Sequence, residues 1–163
     1  MTKKSEDKRL ERSPVHLIHR ASQGADDLLQ AEKEPLDLTP RQFAVLEVLS
    51  RNEGASQRVL VDATGIDRST MADIIQRMLK KGFVKRRRSS DDARAYSVKL
   101  TESGAQTLKV TRPVMRRIDE HLLAALPAKR AEDFLENLKI VIAALNAPEV
   151  VIPAKKKRRA ARS

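Results

Sequence analysis

The 163-residue chain has no cysteine and no tryptophan, and its aromatic residues are three phenylalanines and one tyrosine. Without a thiol there can be no disulfide, no thiol-based redox sensor and no cysteine zinc site. With so few aromatics no stacking platform for single strands or unpaired RNA bases is visible. The three histidines are too few and too scattered for a metal cluster, so no metal or cofactor is expected. No apolar run reaches the roughly 18 residues of a membrane span, and no basic-then-apolar leader with a cleavage site is seen, so a cytoplasmic protein with no membrane partner is expected. A glycine-rich phosphate loop, a nucleophile elbow and a convincing acid–base pair are all missing, which argues against an enzyme. Tyr96 reads as a strand residue, not a catalyst.

What the chain has in excess is positive charge, +11 in all. It is unevenly placed. Residues 66–99 hold ten basic and four acidic residues, whereas residues 13–65 hold five and eight, and residues 100–150 hold seven of each. The remaining excess lies at the two ends. A basic block on one short segment is a nucleic-acid footprint, because neutralising phosphates releases condensed counterions.

That block reads as helix, tight turn, helix and hairpin. Ser56 caps a helix over 57–63, with Val59, Leu60 and Ala63 on one face, and Gly65 closes it, since a residue without a Cβ turns left-handed at little cost. Asp67 caps the next helix, 68–81. Met71, Ile74, Ile75, Met78 and Leu79 form its buried stripe, which turns Arg68, Ser69, Thr70, Asp73, Gln76, Arg77 and Lys80 outward. Two helices so joined make a helix-turn-helix, and the second is the one that enters a major groove. After Gly82, segments 83–88 and 95–100 read as strands around a turn-prone tip. Arg86 and Arg88 lie on the first strand, and Arg94 at the tip suits a narrow minor groove, held extended by Asp92.

From Leu38 to about Leu145 the chain resembles the MarR family of winged helix-turn-helix regulators. The resemblance is carried by Leu38-Thr39-Pro40-Arg41-Gln42-Phe43-Ala44-Val45-Leu46, by Met78-Leu79-Lys80-Lys81-Gly82-Phe83-Val84, and by Asp92-Ala93-Arg94 ahead of Leu100-Thr101-Glu102-Ser103-Gly104. One departure is Ala72-Asp73, in the part of the recognition helix that often carries a basic residue; Asp73 could accept a hydrogen bond from cytosine N4. The resemblance implies a mainly α fold with a small β-wing, the winged helix-turn-helix being flanked by N- and C-terminal dimerisation helices. It also implies a repressor that a small aromatic acid or its coenzyme A thioester releases from a near-palindromic operator. A nonspecific DNA-compacting protein is the alternative.

The flanks fit a dimer. Ser13-Pro14 starts a helix over 15–33, and Pro127 starts another over 128–146, in which Phe134, Leu135, Leu138, Val141, Ile142 and Leu145 make a broad apolar stripe. Two long apolar seams are hard to bury on one small wing domain and easy to bury against a second copy. Thr39 and Pro40 open the helix that carries Phe43. Thr101 caps a helix to about 126, which Pro113 must bend or interrupt near 109–113. Candidate effector contacts are His16, His19, Arg20 and Gln23 on the first helix, Phe43 on the second, and Arg112, Met115 and Arg116 beside Pro113. The expected organisation is a flexible arm over 1–12, one domain over 13–146 and a disordered basic tail over 147–163. Within the domain, 13–37 and 101–146 serve dimerisation and 38–100 bind double-stranded DNA.

Overall fold

The computed structural model describes residues 9–32, 38–52, 54–88 and 96–146. The wing tip with Asp92 and Arg94, most of the N-terminal arm and the basic tail lie outside them. The element order is α1 (Pro14–Gln30), α2 (Pro40–Arg51), β1 (Ala55–Ser56), α3 (Gln57–Thr64), α4 (Arg68–Lys80), β2 (Val84–Arg88), β3 (Tyr96–Leu100), α5 (Glu102–Ala124) and α6 (Ala128–Leu145). The chain divides into two compact units, at 125/126.

Most helix starts follow from side-chain caps. Ser13 Oγ accepts from the His16 N–H (3.3 Å), Ser56 Oγ from the Val59 N–H (3.3 Å) and Thr101 Oγ1 from the Gly104 N–H (3.0 Å). At α2 the cap is reciprocal: Thr39 Oγ1 accepts from the Gln42 N–H (3.3 Å), and the Thr39 N–H donates to Gln42 Oε1 (3.1 Å). Two otherwise orphaned backbone donors are thereby satisfied, with Pro40 preset at the first helical position.

The first unit is built around one core. Val45, Leu46 and Leu49 of α2, Leu60 of α3, Met71, Ile74, Ile75 and Met78 of α4, Val84 and Val98 of the sheet and Leu108 of α5 are all buried in it. The sheet has order β1-β3-β2, antiparallel throughout, with Val84 opposite Leu100 and Arg86 opposite Val98. Ala55 pairs with Val98, so β1 adds an edge strand that two residues without alternation could not announce in the sequence. Replacing Leu46, which is fully buried, by Ala is expected to destabilise the unit by about 2–5 kcal/mol in chemical denaturation.

α5 runs unbroken from Glu102 to Ala124 with Pro113 inside it, so the proline does not interrupt the helix, although it removes the donor that would reach the Lys109 carbonyl. Two arginines tie α5 to other helices. Arg112 donates from Nε to Glu47 Oε1 (2.6 Å) and from Nη2 to Glu47 Oε2 (3.2 Å) and Ser50 Oγ (3.0 Å). Arg117 donates to Glu32 (2.9 Å), just past the end of α1. The Glu47 carboxylate pushes the Arg112 guanidinium above its ordinary pKa. The Arg112 side chain is about half exposed, so screening limits the pair to about 1 kcal/mol; a double-mutant cycle with Glu47→Gln and Arg112→Met measures it.

In the second unit, α6 leaves Phe134, Leu135, Ile140, Val141, Ile142 and Leu145 exposed. Among the described residues no helix is long and apolar enough to cross a membrane.

Candidate nucleic-acid interface

α3 and α4 meet through a glycine turn. Gly65 adopts the left-handed conformation (φ 69°), its N–H donating to the Val61 carbonyl. Only a residue without a Cβ takes this geometry cheaply. The Gln57 side-chain amide donates to the Arg68 carbonyl (3.0 Å), tying the start of α3 to the start of α4. The Asp67 carboxylate accepts from the Ser69 hydroxyl (2.6 Å) and the Thr70 N–H (2.9 Å). These two bonds hold its pKa well below the usual carboxylate range. A carboxylate whose folded pKa is depressed adds stability above its unfolded value near 4, and loses it as the pH falls below that. The melting-temperature gap between the parent and Asp67→Ala is therefore expected to be constant from pH 5 to 8 and to narrow steadily below about pH 4.

With its stripe of Met71, Ile74, Ile75 and Met78 buried, α4 exposes Arg68, Ser69, Asp73, Gln76, Arg77 and Lys80, and Thr70 is half-buried. All seven sequence-read residues of this helix thus lie away from the buried stripe. The Ser69 hydroxyl, held by Asp67, keeps its oxygen free to accept.

The wing stands next to α4. Lys85, Arg86, Arg87 and Arg88 are all exposed, and only Val84 of β2 enters the core, which is why a strand of four cations forms at all: one anchor and the ladder to β3 hold it. Strand alternation places Arg86 and Arg88 on the side of Val84, and Lys85 and Arg87 on the other. The strand arginines therefore belong to two faces, a division that the basic run alone did not reveal.

The candidate effector residues are dispersed. His19, Arg20 and Gln23 are exposed on α1 and His16 is half-buried, its N–H taken by the Ser13 cap. Phe43 packs against the core. Met115 is half-buried, Arg116 pairs with Glu120 (3.5 Å), and Arg112 is held by Glu47 and Ser50. An effector acid at Arg112 would have to displace Glu47. Sequence reading missed Glu47 because the two residues lie 65 positions apart and neither stands in a motif.

Residues 36–95, from just before α2 to the wing tip, match the model of the MarR family. The repressor NicR of Pseudomonas putida is 33% identical over 113 residues, which cover 69% of this chain and 72% of NicR. This chain belongs to the MarR family. It is accordingly a DNA-binding transcriptional regulator, as the sequence resemblance implies. Its fold matches the PcaV regulator of Streptomyces coelicolor in complex with its natural ligand, at TM-score 0.79 and 28% identity, over 83% of this chain and 96% of PcaV. It also matches a mutant of Escherichia coli MarR complexed with operator DNA, at TM-score 0.69 and 29% identity, over 77% of this chain and 90% of that one.

Proposed function

We propose that this protein is a cytoplasmic, homodimeric repressor that binds a near-palindromic operator and leaves it when a small aromatic acid, or the coenzyme A thioester of one, is bound. The observation that carries the reading is the exposed face of α4, polar and basic along its length, beside a wing strand whose four cations are exposed. Such a helix reads base edges in the major groove while lysines and arginines around it neutralise phosphates. The uncovered apolar residues of α6 and Val15, Leu17 and Ile18 of α1, all exposed in the single chain, support a second copy as partner. A two-fold dimer would set two α4 helices in successive major grooves, roughly 34 Å apart. NicR is a repressor by name, and PcaV and MarR have been seen with ligand and with operator DNA respectively; these support the effector and operator parts of the reading.

Release must be a shift between two states. The effector has to favour the geometry that misfits DNA by several kcal/mol if the operator is to be emptied. The test is DNA binding to the upstream region of the gene and to neighbouring promoters, at physiological salt, against a panel of aromatic acids and their thioesters. Specific binding abolished by one compound is the expected result; specific binding indifferent to the whole panel would remove the effector class from the reading. Arg94→Ala is expected to weaken binding without lowering the melting temperature, and unchanged affinity at matched salt would overturn the wing assignment.

A further inference from the structure

The wing sheet has a second face, opposite the one that carries Val84. Lys85 and Arg87 of β2 lie on it, and the ladder sets Lys85 against Lys99 and Arg87 against Ser97. Cross-strand partners share a face, so Lys85, Arg87 and Lys99 form one triangle of cations, roughly 5 to 8 Å apart at Cβ. The triangle borders a hollow of about 350 Å³, which Leu49 and Ser50 at the end of α2 also line, together with Gly54 and Leu100. Among the described residues, none of α4 lines it.

The arrangement is costly as it stands. Like charges directly opposite one another destabilise a sheet, and Lys85 and Lys99 are such a pair. Among the described residues no acid lines the hollow, and neither Lys85 nor Arg87 enters an ion pair. Glu47, one turn before Ser50, is committed elsewhere: its carboxylate accepts from Arg112 and pairs with Arg51 (3.6 Å). Other exposed arginines find acids, Arg58 with Asp62 and Arg116 with Glu120. An anion in the hollow reverses the sign of the local energy, because it attracts each cation and offsets their mutual repulsion.

We infer that this hollow is a binding site for a diphosphate group, separate from the face of α4 that meets DNA, a site that stands whether or not the protein answers to an aromatic acid. Charge, shape and hydrogen-bonding chemistry select that class. Three cations around one hollow match an anion of several charges, and a single carboxylate would leave most of them unmatched. The Arg87 guanidinium presents a planar fork to two phosphate oxygens, while a lysine acts as a point charge. A hollow bounded by a helix end admits a small anion, whereas a duplex needs an open surface to lie along. Inorganic pyrophosphate and the diphosphate of an organic molecule share this chemistry.

The experiment uses the full chain at physiological salt in a buffer free of phosphate. In calorimetry pyrophosphate is expected to bind at least about tenfold more tightly than orthophosphate or sulfate, the gain expected from one further charge-assisted contact. Lys85→Gln and Arg87→Gln should each weaken that binding by about tenfold, with folding checked by circular dichroism melts. Arg86→Gln and Arg88→Gln remove the same charge from the other face of the same strand, and should leave pyrophosphate binding as in the parent. They separate a built site from diffuse attraction to a basic chain. Adenosine diphosphate distinguishes the two sources: binding as tight as that of pyrophosphate identifies an organic diphosphate as an acceptable ligand, and binding about tenfold weaker, the loss of one charge-assisted contact, restricts the site to the inorganic anion. No binding of pyrophosphate, equal binding of pyrophosphate, orthophosphate and sulfate, or equal losses from all four substitutions overturns the site. Weaker binding of the upstream duplex by Lys85→Gln and Arg87→Gln, with pyrophosphate binding intact in both, would make these cations DNA-backbone contacts and overturn it too.

Discussion

Gly104→Ala is expected to lower the melting temperature by on the order of 10 °C, the cost of forcing one methyl into a packed joint. In an ordinary helix interior the same change stabilises, because alanine is the better helix former by about 1 kcal/mol. Here the sign reverses. Gly104 is buried in the first turn of α5, and a Cβ built on it would sit inside the van der Waals surface of the Phe83 carbonyl oxygen, with the rest of that peptide close behind. The obstacle is backbone, so no rotamer change relieves it. The Phe83 carbonyl is also fixed from the other side, accepting the Thr101 N–H (3.1 Å), while the Thr101 hydroxyl donates to the Gly82 carbonyl (2.6 Å). This cluster joins the end of α4, the start of the wing and the start of α5. Thermal unfolding of the parent and the variant reads the effect directly, and a melting temperature that rises instead would mean that the joint is open enough to take a side chain.

Removing three cations from α4 together, as Arg68→Ala, Arg77→Ala and Lys80→Ala, is expected to cost on the order of a hundredfold or more in DNA affinity at physiological salt, and to make the slope of log affinity against log salt shallower by roughly 3. All three side chains are exposed, and none supports the core, so the melting temperature should stay within a few degrees of the parent. The two readouts separate causes. A loss of affinity with an unchanged salt slope would mean that the three residues act on base edges or on the helix itself, whereas a shallower slope identifies phosphate contacts.

Much of this architecture is legible in the sequence because its signals are local. Ser13-Pro14, Thr39-Pro40, Ser56, Asp67 and Thr101 each start a helix through a side chain within three residues of the amide it satisfies, and apolar spacing then fixes the buried face. The last helix, Ala128–Leu145, lies where its apolar stripe puts it. What the sequence withholds depends on distant partners. β1 is two residues long and becomes a strand only because β3 offers it a ladder. Arg112 reads as one of several free arginines until Glu47 is brought against it. Lys85 and Lys99 are two among many basic residues, and nothing in their neighbourhood announces that the strand register sets them opposite one another beside the end of α2. Pro113 breaks the hydrogen-bond ladder, but α5 continues through it, since the loss of one bond in a helix packed along the core does not end it.

Sequence-specific DNA recognition by α4 is tested by equilibrium binding of the full chain to the upstream region of its own gene and to random duplex of equal length, both at physiological salt. The upstream affinity is expected to be at least about a thousandfold higher than that for random duplex, the usual lower margin of a specific reader over its own nonspecific binding. Equal affinity for the two would contradict it and identify the positive charge of this protein as a means of coating DNA, not of reading it.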